Sequence, residues 1–208
     1  MLKTESVVFS YDNNEIFSFP DLKIDNGEHL LILGKSGVGK STFIQILAGL
    51  LNPKSGNVEL NGTEFGKLSS NKLDRFRGEN VGLIFQKPHF IKSLSLEENL
   101  KMSLFLAGKN QNVSKITSLL KQVGLSHKKD QNPLSLSQGE QQRASIVMSL
   151  IKEPNLILAD EPTASLDDNN CMETSKMLQE YCSEKNSKLI IVTHDNRLKG
   201  EFKNSISL

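Results

Sequence analysis

Three observations predict an α/β fold with a parallel core sheet, an antiparallel β subdomain at the N-terminus and a helical insertion. Four apolar runs of strand length, Leu30–Leu33, Val81–Phe85, Leu156–Ala159 and Leu189–Val192, read as strands buried on both faces, the mark of a parallel sheet. Amphipathic stretches over 40–50, 137–151 and 168–185 alternate with these runs and read as helices, the βα alternation of a layered sheet. A tract over 92–132, rich in Leu, Ser, Lys and Asn, carries helical patterns around 95–107 and 112–124 that stop near Gly124. A helical subdomain over about 92–152 is therefore expected within one domain, 1–208.

The first 30 residues differ from the core pattern. Val7-Val8-Phe9-Ser10-Tyr11 and the segment 17–24 flank a turn signal, Asp12-Asn13-Asn14-Glu15. The segment 56–60 runs into Asn61-Gly62, a hairpin signal. These pieces are expected to form the small antiparallel sheet.

Composition excludes several classes. A chain of 208 residues is long enough to bury a core without disulfides or metals, and 37% apolar with 24% charged residues is ordinary for a globular protein. Lys+Arg 25 against Asp+Glu 24 leaves +1, so no global field draws the chain to nucleic acid or anionic membranes, and no nucleic-acid partner is expected. No run approaches the ~20 apolar residues that span a bilayer, and 1–6 lack a secretory h-region. Cys171 and Cys182 have neither disulfide-framework nor zinc spacing. The expectation is a cytoplasmic protein whose membrane role, if any, is peripheral.

The chemistry begins at Gly34-Lys35-Ser36-Gly37-Val38-Gly39-Lys40-Ser41, which fits G-x-x-x-x-G-K-[ST]. It follows an apolar strand and opens a helix at Thr42, the context that makes such a loop cradle phosphate. Glycines let successive N–H groups converge on phosphate oxygens, and the helix N-terminus adds about half a positive charge. Lys40 is expected to reach the β- and γ-phosphates, and the Ser41 hydroxyl to ligate Mg²⁺.

Leu156-Ile157-Leu158-Ala159-Asp160-Glu161 is an apolar strand ending in two carboxylates. Ligands in open α/β sheets bind at the carboxyl ends of strands. Asp160 is then placed to hold Mg²⁺ through water and Glu161 to polarise an attacking water. His194 ends the last apolar run and is expected near the γ-phosphate. Gln86 follows the run 81–85, where its amide reaches both metal and water.

These residues, with Leu136-Ser137-Gln138-Gly139-Glu140-Gln141-Gln142-Arg143, resemble the nucleotide-binding subunit of ATP-binding cassette (ABC) transporters. The stretch 136–143 is similar to that family's signature motif and stands shortly before the Asp160-Glu161 strand. Kinases and small GTPases share the phosphate loop but lack this segment. The resemblance covers nearly the whole chain, with a P-loop NTPase fold of ABC type. It implies ATP as substrate and a homodimer in which Ser137, Gln138, Gly139 and Glu140 of one copy close over ATP on the other. It also implies Tyr11 stacking on adenine, Asp167 in a turn communicating between the two sites, and two separately encoded transmembrane permease subunits. Such a subunit lies on the cytoplasmic face of the cell (inner) membrane. The permease is expected to dock near Gln86 and 87–94, where Phe90, Ile91 and Leu94 either contact a partner helix or pack inward under the helical insertion.

Gln138 and Glu140 depart from the family's common Gly and Gln. Glu140-Gln141-Gln142-Arg143 looks like the subgroup serving lipoprotein release, macrolide efflux and cell division. Within that subgroup, a division-type ATPase that signals through a membrane partner without moving substrate is the alternative. A soluble nucleic-acid ATPase is disfavoured by the absence of a second cassette or a heptad tract, and a binding-only module by the complete set Lys40, Ser41, Gln86, Asp160, Glu161 and His194.

Overall fold

The computed structural model describes residues 1–12, 15–164 and 166–208. In chain order the strands and α-helices are β1 (Leu2–Phe9), β2 (Phe17–Ser18), β3 (Lys23–Ile24), β4 (His29–Leu33), α1 (Lys40–Leu47), β5 (Ser55–Leu60), β6 (Thr63–Glu64) and α2 (Ser70–Asn80). There follow β7 (Val81–Ile84), α3 (Leu96–Leu106), α4 (Val113–Gln122), α5 (Gln138–Leu150), β8 (Leu156–Asp160), α6 (Asp168–Glu184), β9 (Lys188–Thr193) and β10 (Asn204–Ser207).

The four apolar runs all enter one parallel sheet of order β10-β4-β9-β8-β7. Their alternate side chains serve two different cores, as a period of two requires. Leu30, Ile32, Leu156, Leu158, Ile190 and Val192 pack with Phe43, Ile44 and Leu47 of α1 and with the antiparallel sheet. Leu31, Leu33, Ile157, Ala159, Leu189 and Ile191 pack with Leu178 and Cys182 of α6. Burying each such Leu or Ile contributes about 1.5–3 kcal/mol, so the sheet is held from both faces.

The antiparallel sheet has order β2-β1-β5-β6, with β3 also on β1. Its β5–β6 hairpin turns on Asn61 and Gly62, both at positive φ, the I′ geometry that Asn-Gly favours. The turn expected at 12–15 includes Asn13 and Asn14, which lie outside the described residues.

Several boundaries differ from expectation. The strand read at 7–11 starts at Leu2 and stops at Phe9, because Leu2 pairs with both β3 and β5. The segment 17–24 is two short strands around Pro20, whose missing N–H interrupts the ladder. The run 81–85 ends at Ile84, and Phe85 turns to meet His89 edge to face at 5.0 Å. Helix α1 ends at Leu47, three residues early, where Gly49 adopts positive φ. Helix α2 and strand β10 have no counterpart in the sequence reading.

Helices α3, α4 and α5 build a separate core from Leu96, Leu100, Leu104, Ile116, Leu120, Ala144 and Val147. Both α3 and α5 begin with capping boxes, Ser95 with Glu98 and Ser137 with Glu140, which fixes where each helix starts.

Candidate functional site

The carboxyl ends of β4, β9, β8 and β7 lie side by side, so the segments that follow them converge at one edge of the sheet. The loop after β4 is Gly34–Gly39. Gly37 and Gly39 have φ of 88° and 95°, and a Cβ on Gly39 would sit 2.8 Å from the Phe17 ring. Glycine is therefore required at Gly39 on two counts. Gly39 caps α1, whose first intrahelical bond runs from Phe43 N to Gly39 O, 2.8 Å. The preceding N–H groups have no partner within the helix, an arrangement suited to binding an anion.

Lys40 is almost fully buried, and its ammonium donates to the carbonyls of Gly34 at 2.8 Å and Lys35 at 3.0 Å. Its Nζ also lies 3.8 Å from Glu161 Oε1. A buried lysine folded across its own loop supplies the positive charge that a polyphosphate needs. Beneath the loop, Phe17, Phe19 and Phe43 form a stacked column, with Phe19 and Phe43 4.5 Å apart. Tyr11 stands at the rim, 64% exposed, its ring edge-on to Phe9 and its hydroxyl 3.0 Å from Thr42 Oγ1. An exposed, rigidly held aromatic beside a phosphate loop suits base stacking.

Glu161 follows β8 at φ 49°, a left-handed conformation that costs a non-glycine residue about 1–3 kcal/mol and is concentrated at functional sites. Its carboxylate is nonetheless well held. Oε2 accepts from Thr193 Oγ1 at 2.6 Å, and Oε1 accepts from His194 N at 3.0 Å and meets His194 Nδ1 at 2.7 Å. The β8–β9 ladder brings these together, and Glu161 N donates to Val192 O. Thr193 has no signal in the sequence beyond ending an apolar run.

Asp160 is the complement. Its Oδ1 is buried and has no hydrogen-bond partner. Burial pushes its carboxyl up, the neighbouring Ser41 hydroxyl opposes this, Glu161 pushes it further up, and Lys40 draws it down. An orphaned carboxylate oxygen beside a serine hydroxyl and a phosphate loop fits a hard divalent cation with oxygen ligands. Gln86 is exposed, two residues beyond β7.

Residues 137–140 form a second, distinct cluster. Ser137 Oγ accepts from Glu140 N at 3.3 Å, and Glu140 Oε2 accepts from Ser137 N at 2.8 Å. The Ser137 N–H and hydroxyl hold the Glu140 carboxyl below its ordinary value. Gly139 faces Leu166, where an added Cβ would be 3.6 Å away. Among the described residues, no hydrogen bond or ion pair joins 137–140 to 34–42 or to 160–161 of the same chain. Asp167 caps α6, accepting from Asn170 N at 3.0 Å and Asn170 Nδ2 at 2.6 Å, and these bonds hold its carboxyl low. Ser165, in the same turn, lies outside the described residues.

Arg197 escaped the sequence reading. Its guanidinium bridges Asp195, next to His194, and Asp168, next to Asp167, tying the turn before α6 to the end of β9. In the segment after Gln86, Phe90 packs inward on the helical core, whereas Lys87, Ile91 and Lys92 are exposed.

Fold and site define a P-loop nucleotide-binding cassette, with an anion cradle, an acidic pair and a signature-bearing helical unit. The family model described as ABC transporter matches residues 18–164. The lipoprotein-releasing system ATP-binding protein LolD of Saccharophagus degradans is 36% identical over 201 residues, covering 94% of this chain and 88% of that protein. Its counterpart in Syntrophus aciditrophicus is 38% identical over 204 residues, covering 96% and 92%. The dimeric post-hydrolysis structure of the ATP-binding cassette MJ0796 bound to ADP and Pi superposes with a TM-score of 0.91 at 29% identity, covering all of this chain and 94% of that one. The structure of cbiO1 from Clostridium perfringens, part of the transporter complex cbiONQ, superposes at 0.85 with 29% identity, covering 99% and 83%. The chain belongs to the ABC transporter family. Within it, the chain is an ATP-binding, ATP-hydrolysing cassette.

Proposed function

We propose that two copies of this chain enclose two ATP molecules, each held between the phosphate loop of one copy and residues 137–140 of the other, and that ATP turnover drives separately encoded transmembrane permease subunits. The observation that carries the reading is the division of the anion-binding machinery: cradle and capped helix N-terminus are separate within one chain. An isologous dimer brings them together. The dimeric MJ0796 cassette supports this assembly, and the relatives' name supports a role of the lipoprotein-releasing kind. None of the described helices is long and apolar enough to cross a membrane. In this reading the chain docks on the cytoplasmic face of the inner membrane through Gln86 and 87–94.

In this reading the backbone of 34–42 surrounds the phosphates and Tyr11 stacks on adenine. Lys40 exchanges its loop carbonyls for β- and γ-phosphate oxygens. Ser41, Asp160 and Gln86 would hold Mg²⁺, which would supply charge neutralisation at the phosphates. Glu161, held by Thr193 and His194, orients the attacking water and takes up its proton. Lys40, His194 and the partner's Ser137 stabilise charge developing on the transferred phosphoryl group, so catalysis is mainly positioning and electrostatics. Asp167 lies where the two sites communicate. Phosphate release from the purified chain at saturating ATP tests the reading: turnover abolished by Lys40→Ala supports it, and a wild-type chain with no turnover, alone or with a permease, overturns it.

A further inference from the structure

We propose that Asn99 and Asn132 are positioning residues for ATP turnover, binding the segment after Gln86 to the helical unit that carries Ser137 so that the two move as one body. The proposal rests on the reading above, in which Gln86 serves one nucleotide and Ser137 the other. It adds a physical link between them.

Residues 85–95 connect the core sheet to α3 and contain no strand or α-helix of their own. Asn99 lies in α3 and is 2% exposed. A leucine would suit a helix position so deeply buried, because an amide there costs about 1–3 kcal/mol unless its hydrogen bonds are made. Every polar atom of this side chain is used on the connecting segment or its junction with α3. Oδ1 accepts from Ile91 N at 2.8 Å, and Nδ2 donates to Ile91 O at 3.2 Å, Leu94 O at 3.2 Å and Ser95 O at 2.9 Å. The paired bonds to Ile91 N and Ile91 O hold the peptide groups on both sides of that residue, as a β-bridge would.

The next residue is held by a second asparagine. Lys92 O accepts from Asn132 Nδ2 at 2.7 Å. Two backbone bonds run alongside, from Leu96 N to Gln131 O at 2.9 Å and from Glu97 N to Lys129 O at 2.8 Å. From Asn132 the chain is tightly bonded up to Ser137. Asn132 Oδ1 accepts from Leu134 N, Asn132 O accepts from Ser135 N and Oγ, and Leu136 O accepts from Gln141 Nε2. A displacement at 91–92 is therefore delivered to the residues just before Ser137, rather than absorbed by a slack loop.

Asn132 offers the clean test, because its two side-chain atoms do different work. Asn132→Asp keeps the acceptor for Leu134 N, removes the donor to Lys92 O and adds a negative charge there. Asn132→Ser also keeps a capping oxygen, without adding charge. Both variants are expected to lower kcat roughly tenfold, within the range for mispositioned catalytic groups. The KM for ATP and the Tm should be unchanged, and amides 91–95 should exchange faster with solvent. Asn99→Asp should speed exchange in the same segment. Wild-type kcat in both Asn132 variants, or a loss matched by a falling Tm, would overturn the proposal. A wild-type chain without turnover defeats the functional reading instead, and exchange at 91–95 then decides the link by itself.

Discussion

The Lys40 ammonium lies 3.8 Å from the Glu161 carboxylate, and both residues are 7% exposed. The two charges expected to act on the γ-phosphate are thus already paired across the junction of phosphate loop and β8. Neither is left as a lone buried ion, since Lys40 also holds two carbonyls and Glu161 also holds Thr193 and His194. Lys40→Met removes a charged donor, and charge-assisted hydrogen bonds contribute about 1.5–3 kcal/mol each, so ATP affinity should fall roughly 10- to 100-fold. Titration with a fluorescent ATP analogue checks this, and unchanged affinity would separate Lys40 from the phosphates.

Asp160 gives a pH dependence with a definite sign. Its folded-state carboxyl is raised, chiefly by burial, so the fold favours the protonated form. Stability from this group is present below the ordinary Asp value of about 3.9 and is lost as pH rises through the raised value. At neutral pH without nucleotide, Asp160→Asn should have a higher Tm than wild type, a margin that narrows as pH falls. Added Mg²⁺ with ATP should raise the wild-type Tm more than the variant's. A variant less stable than wild type at pH 7 and still fully responsive to Mg²⁺ would contradict this placement.

Gly39→Ala places a methyl group at φ 95° and within 2.8 Å of the Phe17 ring. The left-handed backbone alone costs about 1–2 kcal/mol, and the clash adds to it. A drop in denaturation midpoint together with loss of ATP binding is expected. A variant as stable as wild type would show that the loop relaxes freely.

The parts that sequence made legible are those with strong local physics. Buried strands read as apolar runs, the phosphate loop as glycines between a strand and a helix, and the Ser137–Glu140 box as a helix start. What escaped has weak local signals. Helix α2 buries only Leu73, so its stripe is too thin to show a 3.6 period. Strand β10 is a four-residue edge, Asn-Ser-Ile-Ser, recognisable only once β4 is there to pair with it. Thr193, Arg197 and Asn132 act through partners 29 to 40 residues away, and Asn99 through loop backbone, which no local pattern encodes. Phe90 had two readings in the sequence, and the helical core beside it decides for the inward one.

Tyr11 is exposed yet braced by Phe9, Phe17 and Thr42. Tyr11→Ala should weaken ATP binding by about 1–3 kcal/mol, the value of one aromatic–base stack, whereas Tyr11→Phe should stay close to wild type. Equal affinities for wild type and Tyr11→Ala would place the base elsewhere.

The central claim is that ATP joins two chains through residues that each chain alone keeps apart. Glu161→Gln is the sharpest probe, because losing a general base costs about 10²–10⁴ in rate while leaving the phosphate cradle whole. Light scattering of this variant should show twice the mass of one chain with ATP and Mg²⁺, and the single mass with ADP or when Ser137→Phe is added. A solution of single chains at saturating ATP, with turnover near wild type, would contradict the account.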